Sequence, residues 1–365
     1  MSAFPIVPYE KQKHESAYLR FLEKVLGAEK FATRRKAVAW LHDGHPLRGE
    51  RPPLRFVVTD DEKIAGSMGH MPADYMIKGE RVAVRITHDL LVDPEYRGQG
   101  LAKKIVDNSK ATGDFYPGGM WMNVPCYKIH RACGFDDVLS PTTQTLVLDP
   151  GAFARRQGFN AVKRVAVAGA LGVTRARAMR KARAVVDSET GGVACREVGE
   201  FDPRLDGAWL SMVKSYDIAA CREAAFLNWK YTKHPVLKYR FTVAERGGDT
   251  RGYLVWRMPL EGGKENRAVI VDYLVERGDV ETLKAMTAKV IVEAETGGAE
   301  ALSVMTTHPR AVKLLRTFGF LPRRGSHSWV IANWERYLPR EWLVSHEPWH
   351  VCLGDSDGDF WTGGR

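Results

Sequence analysis

Two hydrophobic spacings alternate along this chain. HESAYLRFLEKVLG and ATRRKAVAWLHDG repeat apolar residues every three or four positions, which predicts two helices. PLRFVVTD, KIAGSMGHMPADYMIKGE and RVAVRITHDLLV follow, with turn signals at Asp60-Asp61 and Gly79-Glu80, and predict three successive strands. A helix from about Gly100 to Thr112 comes next, then a short strand at GGMWMNV and a short helix at YKIHRACG that Gly134 closes. TTQTLVLD reads as a last strand. The pattern then repeats in outline. DPRLDGAWLSMVKSY is helical, KYRFTVAERG, TRGYLVWRMPL and ENRAVIVDYLVE are strands, and DVETLKAMTAKVIVEAETGG is a long helix. ALSVMTT, RAVKLLRTFGF and SHSWVIAN give strand, helix and final strand. The expectation is an α/β (α+β) chain of two similar domains, 1–150 and 193–365, related by duplication. Each would be a mixed, mostly antiparallel sheet flanked by helices.

Composition changes between them. From Gly151 to Val186 there are nine Lys/Arg and no acidic residue, with abundant alanine. This reads as a basic, largely helical linker, 151–192. It packs between domains, or touches an anionic membrane surface, or meets a phosphate-bearing substrate. The whole chain of 365 residues carries net charge +10, which favours anionic partners without choosing among them. Five scattered cysteines form no CxxC pair, so neither a disulfide framework nor a zinc site is expected. There is no leader-like apolar start and no run long enough to span a bilayer, so the expected location is cytoplasmic.

The chemistry concentrates at HDLLVDPEYRGQGLAKK, His88 to Lys104. A strand ends, two glycines and an arginine follow, and a helix starts. Helix N-termini present unpaired N–H groups and positive potential, and glycines let an anion approach. The turn is therefore a phosphate site in the making. A plain strand–helix turn is the competing reading. The stretch resembles the acyl-CoA pyrophosphate loop of the GNAT superfamily of N-acyltransferases. NVPCYKIHRACGF, Asn123 to Phe135, resembles the later family motif, matching at Asn123, Gly134 and Phe135, with His130 where the family usually carries tyrosine. The resemblance implies tandem GNAT-like domains and an acetyl-CoA or other acyl-CoA co-substrate, with no metal.

It implies further that Arg97 and the N–H groups of Gly98, Gln99, Gly100, Leu101 and Ala102 cradle the pyrophosphate. The strand ending at Val92 would splay and hydrogen-bond the pantetheine arm, N–H groups near Leu91 and Val92 could hold the oxyanion, and Asn123 is also expected to bind the cofactor. An amine would then attack the thioester. His88 shares strand parity with Ile86, Leu90 and Val92, which would face the cofactor, and its ordinary pKa suits a base. Asp89 would point to the other face unless a bulge intervenes. His130 or Tyr127 would protonate the leaving thiolate. In the second half, Asp279 and Glu281 stand where phosphate would sit, and Leu315 takes the tyrosine position. That half is expected to be degenerate and to shape the acceptor site.

Trp229, Lys230 and Tyr231, with Phe226, Lys233 and His234, form an aromatic–basic stretch that would stack a nucleotide, or else would be core. Asp355, Asp357 and Asp359 resemble the start of a calcium loop, but Phe360 stands where glycine is needed, so a polar turn is expected. Tandem members resemble N-acyltransferases of nucleotide-linked amino sugars, and that is the expected acceptor. The alternatives are another free amine (aminoglycoside, polyamine or peptide) or a non-catalytic acyl-CoA-binding or membrane-surface module. No nucleic-acid partner is expected.

Overall fold

The computed structural model of the chain describes residues 4–52, 54–120, 122–188, 190–260, 266–323, 329–356 and 359. It divides into two compact units. The first holds Met1–Ser140, Lys233–Leu237 and His327–Ser345, and the second the remainder.

In the first unit β1 (Ile6–Pro8), β2 (Leu54–Asp60), β3 (Lys63–Ile77) and β4 (Glu80–Val92) pair antiparallel in sequence order. α1 (Lys11–Leu26) and α2 (Ala28–Asp43) precede the second strand, with Gly27 at φ 78° between them. α1 buries Tyr18, Phe21 and Leu22, one stripe at helical spacing, against Val57 and Ile64. α3 (Leu101–Lys110) buries Leu101, Ile105 and Val106 against Val58, Ala65 and Met68. Alternation along β2 therefore sends Val57 to the α1 side and Val58 to the α3 side, and both layers are core. β5 (Tyr116–Met120), α4 (Val124–Ala132) and β6 (Asp136–Asp137) complete the N-terminal segment.

Two strands are exchanged relative to the expected linear order. β15 (Trp329–Ala332), read as the end of the second half, pairs antiparallel with both β5 and β6 in the first unit. Trp329 Nε1 donates to the Pro117 carbonyl at 2.6 Å, and Val330 and Ala332 join the α3-side core. β7 (Thr142–Val147), read as the end of the first half, lies in the second unit's sheet instead. Strand pairing is a long-range choice, and neither TTQTLV nor WVIA carries local information about its partner.

That second sheet runs β14 (Leu321–Pro322), β7, β13 (Ala301–Thr306), β12 (Arg267–Val275), β11 (Asp249–Arg257), β10 (Arg240–Arg246) and β8 (Ala194–Val198). Among the described residues only β12 and β13 pair parallel within it. α5 (Pro150–Arg156), α6 (Ala161–Asp187), α7 (Leu205–Val213), α8 (Ala224–Leu227), α9 (Val280–Thr296) and α10 (Pro309–Thr317) surround it. Two short strands, β9 (Ile218–Ala220) and β16 (Trp349–His350), pair parallel. α9 is the central helix of this core, with Met286, Ala288, Val290 and Ile291 fully enclosed. Among the described residues no helix is long and apolar enough to cross a membrane.

Burial holds six histidines neutral. It pushes His42, His70 and His350 well below their ordinary pKa, lowers His88 and His130, and takes His308 to about 4. Unfolded, each would bind a proton below about 6.5. The unfolded state then takes up more protons as pH falls, so stability is lost on acidification. The expected slope is about 1.4 kcal/mol per pH unit for each histidine that is protonated only when unfolded. Urea midpoints that fall steeply from pH 7 to pH 5 are expected. Equal midpoints over that range would contradict neutral burial.

Candidate active site

β4 runs into Asp93 and a single helical turn, Pro94–Tyr96. This entry is pinned on three sides. Asp93 Oδ1 accepts from the Glu95 N–H at 3.0 Å, Lys24 Nζ lies 2.9 Å from carboxylates of both Asp93 and Glu95, and Tyr96 Oη donates to Asp60 at 2.6 Å. Arg97, Gly98, Gln99 and Gly100 are exposed. Gly98 sits at φ 79° and Gly100 at φ 75°, a region most L side chains resist, although a Cβ at either would meet nothing within 4 Å. Backbone conformation, not crowding, requires glycine here. No side chain caps α3, and among the described residues the N–H groups of Gly98, Gln99, Gly100, Leu101 and Ala102 donate to no protein acceptor. Five donors and a helix dipole thus converge on open solvent beside Arg97.

Just before β5, Phe115 forms a parallel bridge with Val84 of β4, where the Arg85 N–H donates to the Phe115 carbonyl at 3.0 Å. Beyond it β5 turns to β15, while β4 pairs only with β3 among the described residues. Among the described residues no strand pairs with the outer edge of β4 from Ile86 to Val92, and this edge leads directly to the glycine loop.

A bulge interrupts this edge. Leu91 faces Ser67 and His88 faces Gly69, so Asp89 and Leu90 together oppose Met68. Asp89 takes φ 55°. The parity argument for His88 fails for this reason. Leu90 and Val92 pack on the α3 side, and Leu91 on the α1 side. His88 lies over Gly69 beside Arg55, whose guanidinium is 4.8 Å from the Tyr18 ring on the α1 side. A Cβ on Gly69 would collide with the His88 ring.

His88 Nδ1 lies 3.2 Å from Asp89 Oδ2. A carboxylate only accepts, so Nδ1 carries the proton and Nε2 keeps the lone pair. Burial lowers the His88 pKa, which the Asp89 hydrogen bond partly offsets. Burial alone would raise Asp89, but Arg34 at 3.0 Å, His88 and Arg55 hold it well below the usual carboxylate range. The pair is a neutral imidazole oriented by an ionised carboxylate, the arrangement a general base needs. Arg34, Arg55 and Gly69 were not among the candidates from sequence. Arg55 did leave a signal, because it shares strand parity with Val57 in PLRFVV, where an apolar residue is expected.

α4 disposes its residues differently from expectation. Asn123 Oδ1 accepts from the Cys126 N–H at 2.9 Å and caps the helix. Tyr127 Oη donates to Asp137 at 2.9 Å, and that bond raises its pKa. His130 is buried, edge-on to Phe135, with Nδ1 2.9 Å from the Cys126 carbonyl. The carbonyl only accepts, so Nδ1 holds the proton and the buried Nε2 is a bare acceptor with no partner among the described residues. Burial lowers its pKa further. His130 thus has no proton to give a thiolate, which corrects the acid role expected for it. Nε2 is instead placed to accept a hydrogen bond.

In the second unit the equivalent turn is closed by its own carboxylate. Asp279 caps α9, accepting from the Thr282 N–H at 3.1 Å and from Thr282 Oγ1 at 2.7 Å, with Arg246 and Arg251 each 3.5 Å away. Leu315 is core. The β12–β13 ladder ends at Ile270–Val304, and beyond it residues 352–355 are built in. Cys352 bridges Thr306, and Arg222 Nη2 holds Asp355 at 2.7 Å while its Nε holds Asp272 at 2.9 Å.

Trp229, Lys230 and Tyr231 belong to this buried assembly, which corrects the nucleotide-stacking expectation. Tyr231 Oη donates to Asp272 at 2.8 Å, Lys230 Nζ donates to the Gly354 carbonyl, and all three side chains are enclosed. Asp359 pairs with Arg257 at 2.9 Å, so neither it nor Asp355 is free for calcium, while Asp357 and Phe360 lie outside the described residues. Removing Asp355 leaves Nη2 of the fully buried Arg222 without its carboxylate while Asp272 still holds Nε, so Asp355→Ala is expected to cost up to about 3 kcal/mol. Its effect should appear in the urea midpoint, with acyl-CoA affinity unchanged in the folded fraction.

The fold and the loop together define a class. Residues 11–116 match the family model described as an acetyltransferase (GNAT) domain. The first unit thus carries a stretch similar to the GNAT acetyltransferase domain, over somewhat less than a third of the chain. A GCN5-related N-acetyltransferase from Anabaena variabilis is similar over 90% of this chain and 72% of its own, at 11% identity and TM-score 0.59. A probable N-acyltransferase from Enterococcus faecalis is similar over 90% and 71%, at 12% identity and TM-score 0.56. An N-myristoyltransferase from Saccharomyces cerevisiae with bound myristoyl-CoA is similar over 91% and 79%, at 11% identity and TM-score 0.55. At such identities the likeness is one of fold. No curated protein matches the chain.

Proposed function

We propose that the first unit binds acyl-CoA along the open edge of β4 and transfers the acyl group to a small primary amine. The observation that carries this reading is the continuity of that edge with the uncapped donors of α3. Gly98 to Ala102 would hold the pyrophosphate, with Arg97 beside it, and the pantetheine arm would run along Leu91 and Val92. Asn123, already spent as a helix cap, would orient α4 rather than touch the cofactor.

The bulge separates the two reactants by face. Thioester would approach from the α3 side and amine from the α1–α2 side, where His88 lies. The neutral amine attacks the thioester carbon, and a C–N bond forms. N–H groups on the open edge near Leu91 and Val92 would stabilise the oxyanion. His88 Nε2 takes the amine proton, with Asp89 balancing the imidazolium charge. The C–S bond breaks, and the thiolate is protonated from the imidazolium or through water, releasing CoA. Tyr127, one turn before His130, stays a second source for that proton, with an exposed hydroxyl that now donates to Asp137.

For the acceptor, net charge +10 still favours an anionic molecule such as a nucleotide-linked amino sugar. With Trp229, Lys230 and Tyr231 inside the core, charge is what supports that choice. The test is calorimetry with acetyl-CoA and longer acyl-CoAs, followed by thiol release against matched amines: an amino-sugar nucleotide, its free amino sugar, an aminoglycoside and a polyamine. Binding with no turnover on any amine would leave an acyl-CoA-binding module.

A further inference from the structure

The first four turns of α6 carry apolar side chains outward. Val162, Val165 and Val173 are 82%, 72% and 53% exposed. At about 100° per residue they share a face with Ala166, Gly169 and Ala176. The side chains α6 buries, Ala178, Met179, Ala182 and Val185, all lie in its second half. A helix on a protein surface ordinarily places polar residues where these valines stand.

Charge brackets the stripe. Of the nine cations in 151–186, Arg156 pairs with Glu300, Arg175 and Arg183 with Glu295, and Lys181 donates to Thr317. Arg155, Lys163, Arg164, Arg177 and Arg180 meet no carboxylate among the described residues, and Lys163 lies 4.5 Å from the Phe159 ring centroid. The apolar face thus sits among five uncompensated positive charges, with no acid on the segment.

A second copy would bring like charge to this face. A protein partner is ordinarily anchored by large aromatic or Arg side chains filling pockets, and the stripe offers only Val, Ala and Gly. A lipid surface needs no matching pocket. It accepts short apolar side chains at the headgroup boundary, and anionic headgroups supply the missing charge. We propose that the N-terminal half of α6 docks on an anionic lipid surface through Val162, Val165 and Val173, with Lys163, Arg177 and Arg180 against the headgroups.

The experiment is flotation of the full chain with phosphatidylcholine vesicles, with and without phosphatidylserine, at low and high salt. Binding is expected only with phosphatidylserine and should weaken with salt. Each surface cation is worth about fivefold in partitioning. Lys163→Glu with Arg177→Glu should therefore lower partitioning by about 25-fold or more. Val162→Ser with Val165→Ser should lower it while leaving the charge intact. These positions are exposed, so matching circular dichroism is expected for both variants. No binding to phosphatidylserine vesicles, or equal binding by wild type and both variants, would overturn the proposal. Retention on polyglutamate without vesicle binding would overturn it in favour of an acidic polypeptide.

Discussion

Replacing Gly98 and Gly100 together by aspartate is expected to abolish acyl-CoA binding in a chain that remains folded. Both positions have positive φ and open space around a Cβ. Aspartate tolerates that backbone region better than most residues, so the loop should keep its path. The carboxylates would then stand where the pyrophosphate needs donors. Two like charges about 4 Å apart repel by about 4 kcal/mol at the effective dielectric of a protein surface. Affinity should fall by at least about a hundredfold even if relaxation removes much of this repulsion. Calorimetry with acetyl-CoA and desulfo-CoA reads the loss, and an unchanged urea midpoint shows that folding is intact. Equal binding by variant and wild type would place the cofactor elsewhere. No binding by wild type would remove the acyltransferase reading of this site.

His88→Gln is expected to lower turnover by about a hundredfold to ten-thousandfold, the usual worth of a positioned general base. Acyl-CoA affinity should hold, because His88 lies on the opposite face of β4 from Leu90 and Val92. The pH profile is the sharper readout. Burial lowers the His88 pKa, so wild-type kcat/KM should rise through an acid limb below about pH 6.5 and be flat near neutrality on that side. The glutamine variant should lose that limb. A variant that keeps both the limb and the rate would assign the base elsewhere. Asp89→Asn is the companion variant. It takes the carboxylate from the buried Arg55 and the partly exposed Arg34, and it should destabilise the first unit as well as slow it.

Local chemistry was legible in the chain itself. The glycine loop could be read because its donors, its positive φ values and its helix start lie within a few consecutive residues. The loss of that loop in the second half was legible for the same reason. Asp279 stands at the helix start, and its carboxylate takes the place an anion would need. Helix spacing in α1 and α3 and alternation in β2 likewise reflect periods of a few residues.

What depended on distant parts of the chain was not legible. One extra residue at Asp89–Leu90 turned His88 to the other face of β4, because strand parity holds only while pairing is regular. A hydrogen bond to the Cys126 carbonyl set the His130 tautomer and removed the proton expected of it. Trp229, Lys230 and Tyr231 have the composition of a binding stretch, and only residues 272 and 354 show that they are enclosed. The exchange of β7 and β15 was beyond reach for the same reason. A strand's sequence specifies which side chains face inward, whereas its neighbours are chosen by the packing of the whole sheet.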